Sequence, residues 1–282
     1  IFGVACFVTL FGTWLVPLIA LFFIIPKEVW EGLVYLAAIT LIVAGWFVSP
    51  DVETWTSLTG CLLLGGMLIL SAQLHDLESN HQRFFGTLVM IWAPVALVYQ
   101  NSYVGFISAM SLMALLGFAG SIIPSFGYII GFRDKDALER ATSTGFVILI
   151  AFVVMRLIPN NVPYVHVFEQ GALWCGGFVG YLGLLIASSR FYPNRANYAI
   201  MQVITIMMGV AAVVVGSVFG IPQLLGIGGT FFVLYMLEKP FDIPVDSVAG
   251  FAFVGLIFSI LSGGGWWWVK NHMDLVQPYL LF

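Results

Sequence analysis

Four groups of residues have types and spacings that could do chemistry. Arg156, Asn160, Asn161, His166, Glu169 and Gln170 fall in one short polar stretch between two apolar runs. A guanidinium facing a carboxylate across a turn can form an ion pair, or can hold a polar substrate at a pore mouth. Side chains reaching from span ends to the interface explain the same residues more simply. A second group, His75-Asp76-Leu77-Glu78-Ser79-Asn80-His81, offers two imidazoles and two carboxylates. Its spacing matches no strong ligand pattern, so His75 and His81 are weak metal candidates and a polar connecting loop accounts for them. In the third group, Gly120, Ser121, Ser125 and Gly127 surround Pro124 within GFAGSIIPSFGYIIGF. Proline removes a helical hydrogen bond, and broken helices often line transporter sites. Ser121, Pro124 and Ser125 are therefore candidate substrate contacts, with a kinked or tilted helix as the plain alternative. The fourth group is three cysteines, Cys6, Cys61 and Cys175, in separate apolar runs without a CxxC spacing. They read as small packing residues. No GxSxG, Walker loop, HExxH, or GxGxxG after a strand is present, and neither a catalytic residue nor a cofactor is expected.

The elements that must carry these groups follow from composition. The chain has 282 residues, of which 61% are hydrophobic and 9% charged. Soluble domains carry about 25% charge and about half apolar residues. Mean hydropathy is +1.03, so the lipid bilayer is the expected solvent. A net charge of −4 argues against a nucleic-acid partner. The first residue is Ile1, in an apolar run without the basic start of a signal peptide. A segment or domain ahead of residue 1 is therefore an expectation.

Crossing the hydrocarbon takes about 20 apolar residues in a helix. The sequence offers ten such runs: 3–25, 29–48, 56–74, 83–99, 103–131, 141–158, 168–188, 197–219, 222–238 and 246–265. They are long and continuous and lack period-two alternation, which favours helices over barrel strands. Eight of the ten basic residues fall in the odd-numbered loops, and only Arg156 and Lys270 fall on the other side. The positive-inside rule then places odd loops in the cytoplasm and the C-terminus outside. The stretch GIGGTFFVLYMLEK has the character of bacterial polytopic proteins, so a bacterial cytoplasmic (inner) membrane is the expected location. Every charged side chain lies at or near a span end, which argues against a carboxylate at the midplane that couples transport to an ion.

Lys27, Arg83, Arg140, Arg195 and Lys239 each open an even-numbered span, at intervals of 56, 57, 55 and 44 residues. The sequence therefore reads as successive helical hairpins, whether or not they share an ancestor. The returning helices are rich in glycine, which lets backbones approach in a membrane. Gly66, Gly177, Gly180, Gly226, Gly228 and Gly229 are the expected packing positions. Phe219–Leu237 then reads as a closely packed helix after a tight Gly220-Ile221-Pro222 turn, rather than as a glycine-lined ligand passage. Pro222 suits the first helical position.

Residues 266–282 begin with three tryptophans and Lys270 and then run short and amphipathic. They are expected to lie at the membrane surface or to dock on other membrane subunits. Trp30, Trp46 and Trp55 also fall near span ends. The expected fold is an all-α polytopic bundle of about ten transmembrane helices, 1–265, with the interfacial tail 266–282. Three functions stay open. A structural or assembly subunit of a membrane complex is favoured by the sparse loops and uncharged spans. A transporter or channel for a small neutral or lipid-like substrate is favoured by the break near Pro124. A membrane enzyme would need an interfacial site at His75–His81 or at Arg156–Glu169.

Overall fold

The computed structural model describes residues 26–75, 81–123, 127–157, 164–190, 192 and 198–242, with scattered helical residues between 250 and 271. The described chain is almost entirely helical. Six of its helices are long and apolar enough to cross a membrane: Lys27–Phe47, Val52–Ala72, Gln82–Tyr99, Lys135–Leu157, Val165–Ser188 and Tyr198–Val218. The run 3–25 and the tail after residue 271 lie outside the described residues. The chain forms two compact units, Ile1–Val104 and Gly105–Phe282.

In the first unit, α1 (Lys27–Ala44) ends in a 3₁₀ turn, Gly45–Phe47, followed by α2 (Pro50–Leu74) and α3 (His81–Tyr99). Two prolines sit where a missing N–H costs nothing, while Pro94 lies inside α3. Pro26 precedes α1, and Pro50 opens α2. Helix α2 runs back along α1. A Cβ on Gly60 would lie 2.9 Å from Ala38 O, and one on Gly45 would lie 3.4 Å from Thr56 Oγ1. Helix α3 crosses α2 where Gly65 lies under the Trp92 ring, and Trp92 Nε1 donates to Cys61 O at 3.2 Å.

Helix α3 ends on Gln100, whose φ of 49° is left-handed, and Asn101 N donates back to Ala96 O at 3.1 Å. This six-to-one bond satisfies a carbonyl that the helix end would orphan. Asn101 is buried and starts the next helix, α4 (Ser102–Leu115). Its Oδ1 accepts from Tyr103 N at 3.0 Å and Val104 N at 3.3 Å. Its Nδ2 donates to Thr54 O at 2.8 Å and Ser57 Oγ at 3.0 Å. One side chain thus caps the first turn of α4 and bonds to α2.

The second unit holds most of α4 and then departs from the sequence expectation. The run 103–131 is not one transmembrane helix. Helix α4 stops after 14 residues, and Gly117, at φ +102°, leads into an antiparallel hairpin of β1 (Phe118–Ile123) and β2 (Gly127–Phe132). The strands are in register from Phe118↔Phe132 to Ile123↔Gly127. Gly117, Gly120, Gly127 and Gly131 are poor helix formers, while the Ile122-Ile123 and Ile129-Ile130 pairs favour extended backbone.

Asp134 then caps α5 (Lys135–Leu157), its Oδ1 accepting from Ala137 N at 2.6 Å. After it runs a continuous helix in four parts: a 3₁₀ turn Val165–Phe168, α6 (Glu169–Gly171), a π-helical turn Ala172–Gly176, and α7 (Gly177–Ala187). Helices α8 (Tyr198–Val218) and α9 (Pro222–Asp242) complete the unit. Between them, Gly220 is left-handed at φ +62°, and Ile221 N returns to Gly216 O at 2.9 Å. The core of this unit joins Leu149, Leu173, Tyr181, Ala212, Ile221, Leu224, Ile227 and Phe231. The helix Val165–Ser188 is its centre.

Close backbone approach is confined to particular glycines, and they differ from the expected set. A Cβ on Gly228 would come within 2.2 Å of Ala212 Cβ. At Gly177, Gly180 and Gly229 it would meet neighbours at 3.6, 3.4 and 3.9 Å, within ordinary contact. Gly66 and Gly226 have nothing within 4 Å and are not packing positions. They point away from neighbouring helices, which sequence spacing alone does not fix. Backbone crosses backbone closely elsewhere: a Cβ on Gly105 would lie 2.3 Å from Val167 O, and one on Gly145 would lie 2.9 Å from Gly176 O and 3.1 Å from Gly180 N.

Candidate functional site

Of the polar residues expected between the two apolar runs, Arg156, His166, Glu169 and Gln170 lie at one place; Asn160 and Asn161 lie outside the described residues. Arg156 is in the last turn of α5 and Glu169 opens α6. Arg156 Nη1 donates to Glu169 Oε1 at 3.1 Å, and Nη2 donates to Gly220 O at 3.4 Å. His166 Nε2 lies 3.4 Å from Glu169 Oε2. The arrangement complements two helix ends. The carboxylate sits at a helix start, and the guanidinium meets the carbonyl end of α8. Arg156 is 37% exposed and Glu169 20%, so a polar molecule can reach both. Gln170 is exposed beside them. In the first turn of α9, Gln223 Oε1 is buried without a hydrogen-bond partner among the described residues. The group is a polarised, half-exposed hydrogen-bonding patch. It offers no nucleophile with an adjacent base.

Ser121 is elsewhere. It pairs with Ile129 in the β-hairpin, which leads into the start of α5, about 30 Å along the helix from Arg156. Pro124 and Ser125 lie outside the described residues. The expected substrate set therefore divides, and the structure does not bring Ser121 to Arg156.

His75 joins a different group. Its Nε2 lies 2.8 Å from Glu31 Oε2, and Ser71 Oγ donates to Glu31 Oε1. This ties the first turns of α1 to the end of α2. Serine and histidine both contact the carboxylate, so histidine does not stand between serine and acid as in a nucleophilic triad. The His81 side chain is outside the described residues. Among those residues, no group of three or more His, Cys, Asp or Glu could hold a metal ion.

Sequence reasoning missed a further polar cluster at the other end of the second unit. In the structure, Gln202 Nε2 donates to Ser188 O at 2.6 Å, and Tyr235 Oη donates to Gln202 Oε1 at 2.5 Å. Lys239 Nζ also donates to Ser188 O at 3.0 Å and lies 4.7 Å from the Tyr235 ring centre. Three helix ends thus meet at one carbonyl. The signal in the sequence was a glutamine one turn into α8 and a lysine in the last turn of α9. Nearby in the chain, the Tyr192 phenol is pushed above its ordinary range by burial and by the Glu139 and Asp136 carboxylates.

Comparison with protein-family models, with curated proteins and with solved structures finds no match to this chain.

Proposed function

We propose that this chain is a structural or assembly subunit of a membrane complex. The observation that carries the reading is how its polar groups are spent. Tyr99 Oη donates to Ile42 O at 2.5 Å, Trp92 to Cys61 O at 3.2 Å and Tyr181 Oη to Met208 O at 3.0 Å. Gln202, Tyr235 and Asn101 likewise bond between helices. Polar side chains in lipid act as glue between helices. The side chains just named serve that role, while Thr40, Thr205 and Thr230 bond back to carbonyls of their own helices.

The proposed topology keeps odd loops in the cytoplasm of a bacterial cell, with ten membrane segments as the count. That count adds 3–25, the short α4, α9 and 246–265 to the six helices named above. Glycine-rich hairpins and a partner-binding tail, Trp266–Phe282, belong to the same proposal. Native mass spectrometry of the protein extracted in mild detergent from its own membrane tests it. A stoichiometric partner polypeptide supports assembly. A lone chain or homo-oligomer refutes it.

One observation favours a second reading, transport of a small neutral or lipid-like substrate. Helix α4 gives way to a β-hairpin, and the central helix contains a π-helical turn. Irregular backbone within membrane proteins is tolerated where protein or a wet cavity surrounds it. Reconstituted protein should then carry substrate without a proton or sodium gradient. Uptake that collapses with either gradient would contradict the absence of a coupling carboxylate.

A further inference from the structure

The first unit carries an aromatic surface that packing within the chain does not explain. Trp46 and Phe47 lie in the 3₁₀ turn ending α1 and are 68% and 82% exposed. Trp55, in the first turns of α2, is 61% exposed, and Tyr103, in the first turn of α4, is 54% exposed. These rings are drawn together by the local backbone. The Trp55 and Tyr103 rings stack at 5.9 Å and 23°, and Trp46 meets Tyr99 edge-on at 6.2 Å. Tyr99 in turn contacts Gly45, which also faces Thr56. The left-handed turn at Gln100 and the buried cap at Asn101 hold Tyr99 and Tyr103 on the two sides of one corner.

Three apolar spans meet at this surface. Lys27–Phe47 ends there, Val52–Ala72 begins there and Gln82–Tyr99 ends there. The exposed apolar band of α1, including Leu36, Ile39 and Val43, continues into it. Neither the Trp46 nor the Trp55 indole N–H has a hydrogen-bond partner among the described residues. An indole that is apolar over its faces and has one unpaired donor fits the boundary between acyl chains and headgroups. There the ring stays out of water while the N–H reaches ester carbonyls or hydration water.

We propose that Trp46, Phe47, Trp55 and Tyr103 form an interfacial seat whose partner is the headgroup boundary of the lipid bilayer, and that this seat fixes the depth of the first unit in the membrane. The proposal rests on the membrane-embedded reading and adds the place where the first unit meets the interface. The position of three span ends selects lipid over a second protein. An aromatic docking surface for a protein has no reason to coincide with the ends of three spans.

Depth-dependent fluorescence quenching tests it. The full chain is reconstituted in phosphatidylcholine vesicles brominated either near the headgroup or near the acyl terminus. Trp46→Phe, Trp55→Phe and the double variant are compared with wild type, so the difference isolates the two indoles. Phenylalanine keeps an aromatic ring at each position, which guards the fold. The expected result is that this component is quenched roughly twofold or more strongly by the shallow label than by the deep one. Stronger quenching by the deep label would overturn the seat. So would quenching of the two indoles only by aqueous acrylamide, or protection from all three quenchers, which would mean that a protein covers them. If no tryptophan of the wild-type chain is quenched by either lipid, the membrane reading itself fails, and the seat fails with it.

Discussion

Two apolar helices, one in each unit, are used differently. Of the apolar stretch of Val165–Ser188 in the second unit, 67% is buried by helices of its own chain; of the Lys27–Phe47 stretch in the first, only 11% is. The two stretches look alike in the sequence, yet one is a core and the other faces outward. Position within the bundle makes the difference. The central helix meets α5 through Gly145, Gly176 and Gly180, with backbone against backbone. Among the described residues, helix α1 has one neighbour of that kind, at Gly60, and an exposed row of Leu33, Leu36, Ile39 and Val43 on another face. Lipid-facing and core-facing apolar residues differ little in type, because lipid tails are as apolar as leucine.

The largest of these effects should come from the backbone crossing at Gly145. Gly145→Ala places a methyl group against Gly176 O and Gly180 N, neither of which can move as a side-chain end can. Overpacking of this kind costs about 1–3 kcal/mol, and a clear fall in the detergent-solubilised Tm is expected. Gly66→Ala and Gly226→Ala enter open space. They should be neutral or gain up to about 1 kcal/mol from helix propensity. Equal losses at all three positions would erase the distinction between crossing and open glycines.

The first unit depends more on single polar ties. Asn101→Ala removes the cap on α4 and leaves Ser57 and the Tyr103 and Val104 amides short of partners. A loss of about 1–2 kcal/mol is expected, with faster hydrogen exchange at Tyr103 and Val104. Unchanged exchange would show that the cap does not hold α4. In the second unit, Tyr235→Phe deletes the bond to Gln202 but keeps the ring beside Lys239. About 1 kcal/mol is at stake. A larger loss would mark the Ser188–Gln202–Lys239 cluster as cooperative.

These contrasts also show what the sequence could carry. Span positions were legible because length and continuous apolarity determine them, and α1, α2, α3 and α8 follow the expected runs closely. The break after α4 was visible only as Pro124 among glycines. Short apolar runs do not distinguish strand from helix, so the hairpin at Phe118–Phe132 was hidden within an ordinary span length. The Arg156–Glu169 pairing was legible as one possibility, beside reach to the interface, because opposite charges at two span ends that a short loop joins can meet. Gln202 was not, because a lone amide in an apolar run reveals its partner only once α7, α8 and α9 have been placed. Gly66 and Gly228 show the same limit for small residues, since helix rotation decides which of them meets a neighbour.

The smallest stability effect should fall at the Arg156–Glu169 patch, and there its smallness is the useful result. Arg156 and Glu169 are partly exposed, and the pair spans only α5, α6 and the Gly220 turn. Exposed ion pairs contribute up to about 1 kcal/mol, and salt screens them. Arg156→Gln and Glu169→Gln should each shift Tm slightly, and the shift should shrink as salt rises. A double-mutant cycle should return a coupling of under about 1 kcal/mol. A large, salt-insensitive coupling would make the pair a structural clamp comparable to the Gly145 crossing. With small coupling, any loss of partner association or of substrate uptake in these variants cannot be attributed to unfolding. Association lost at Arg156 and Glu169 while Tm holds would extend the assembly surface to this end of the second unit. Uptake lost under the same conditions would assign the patch to a transport pathway and reverse the order of the two proposed functions.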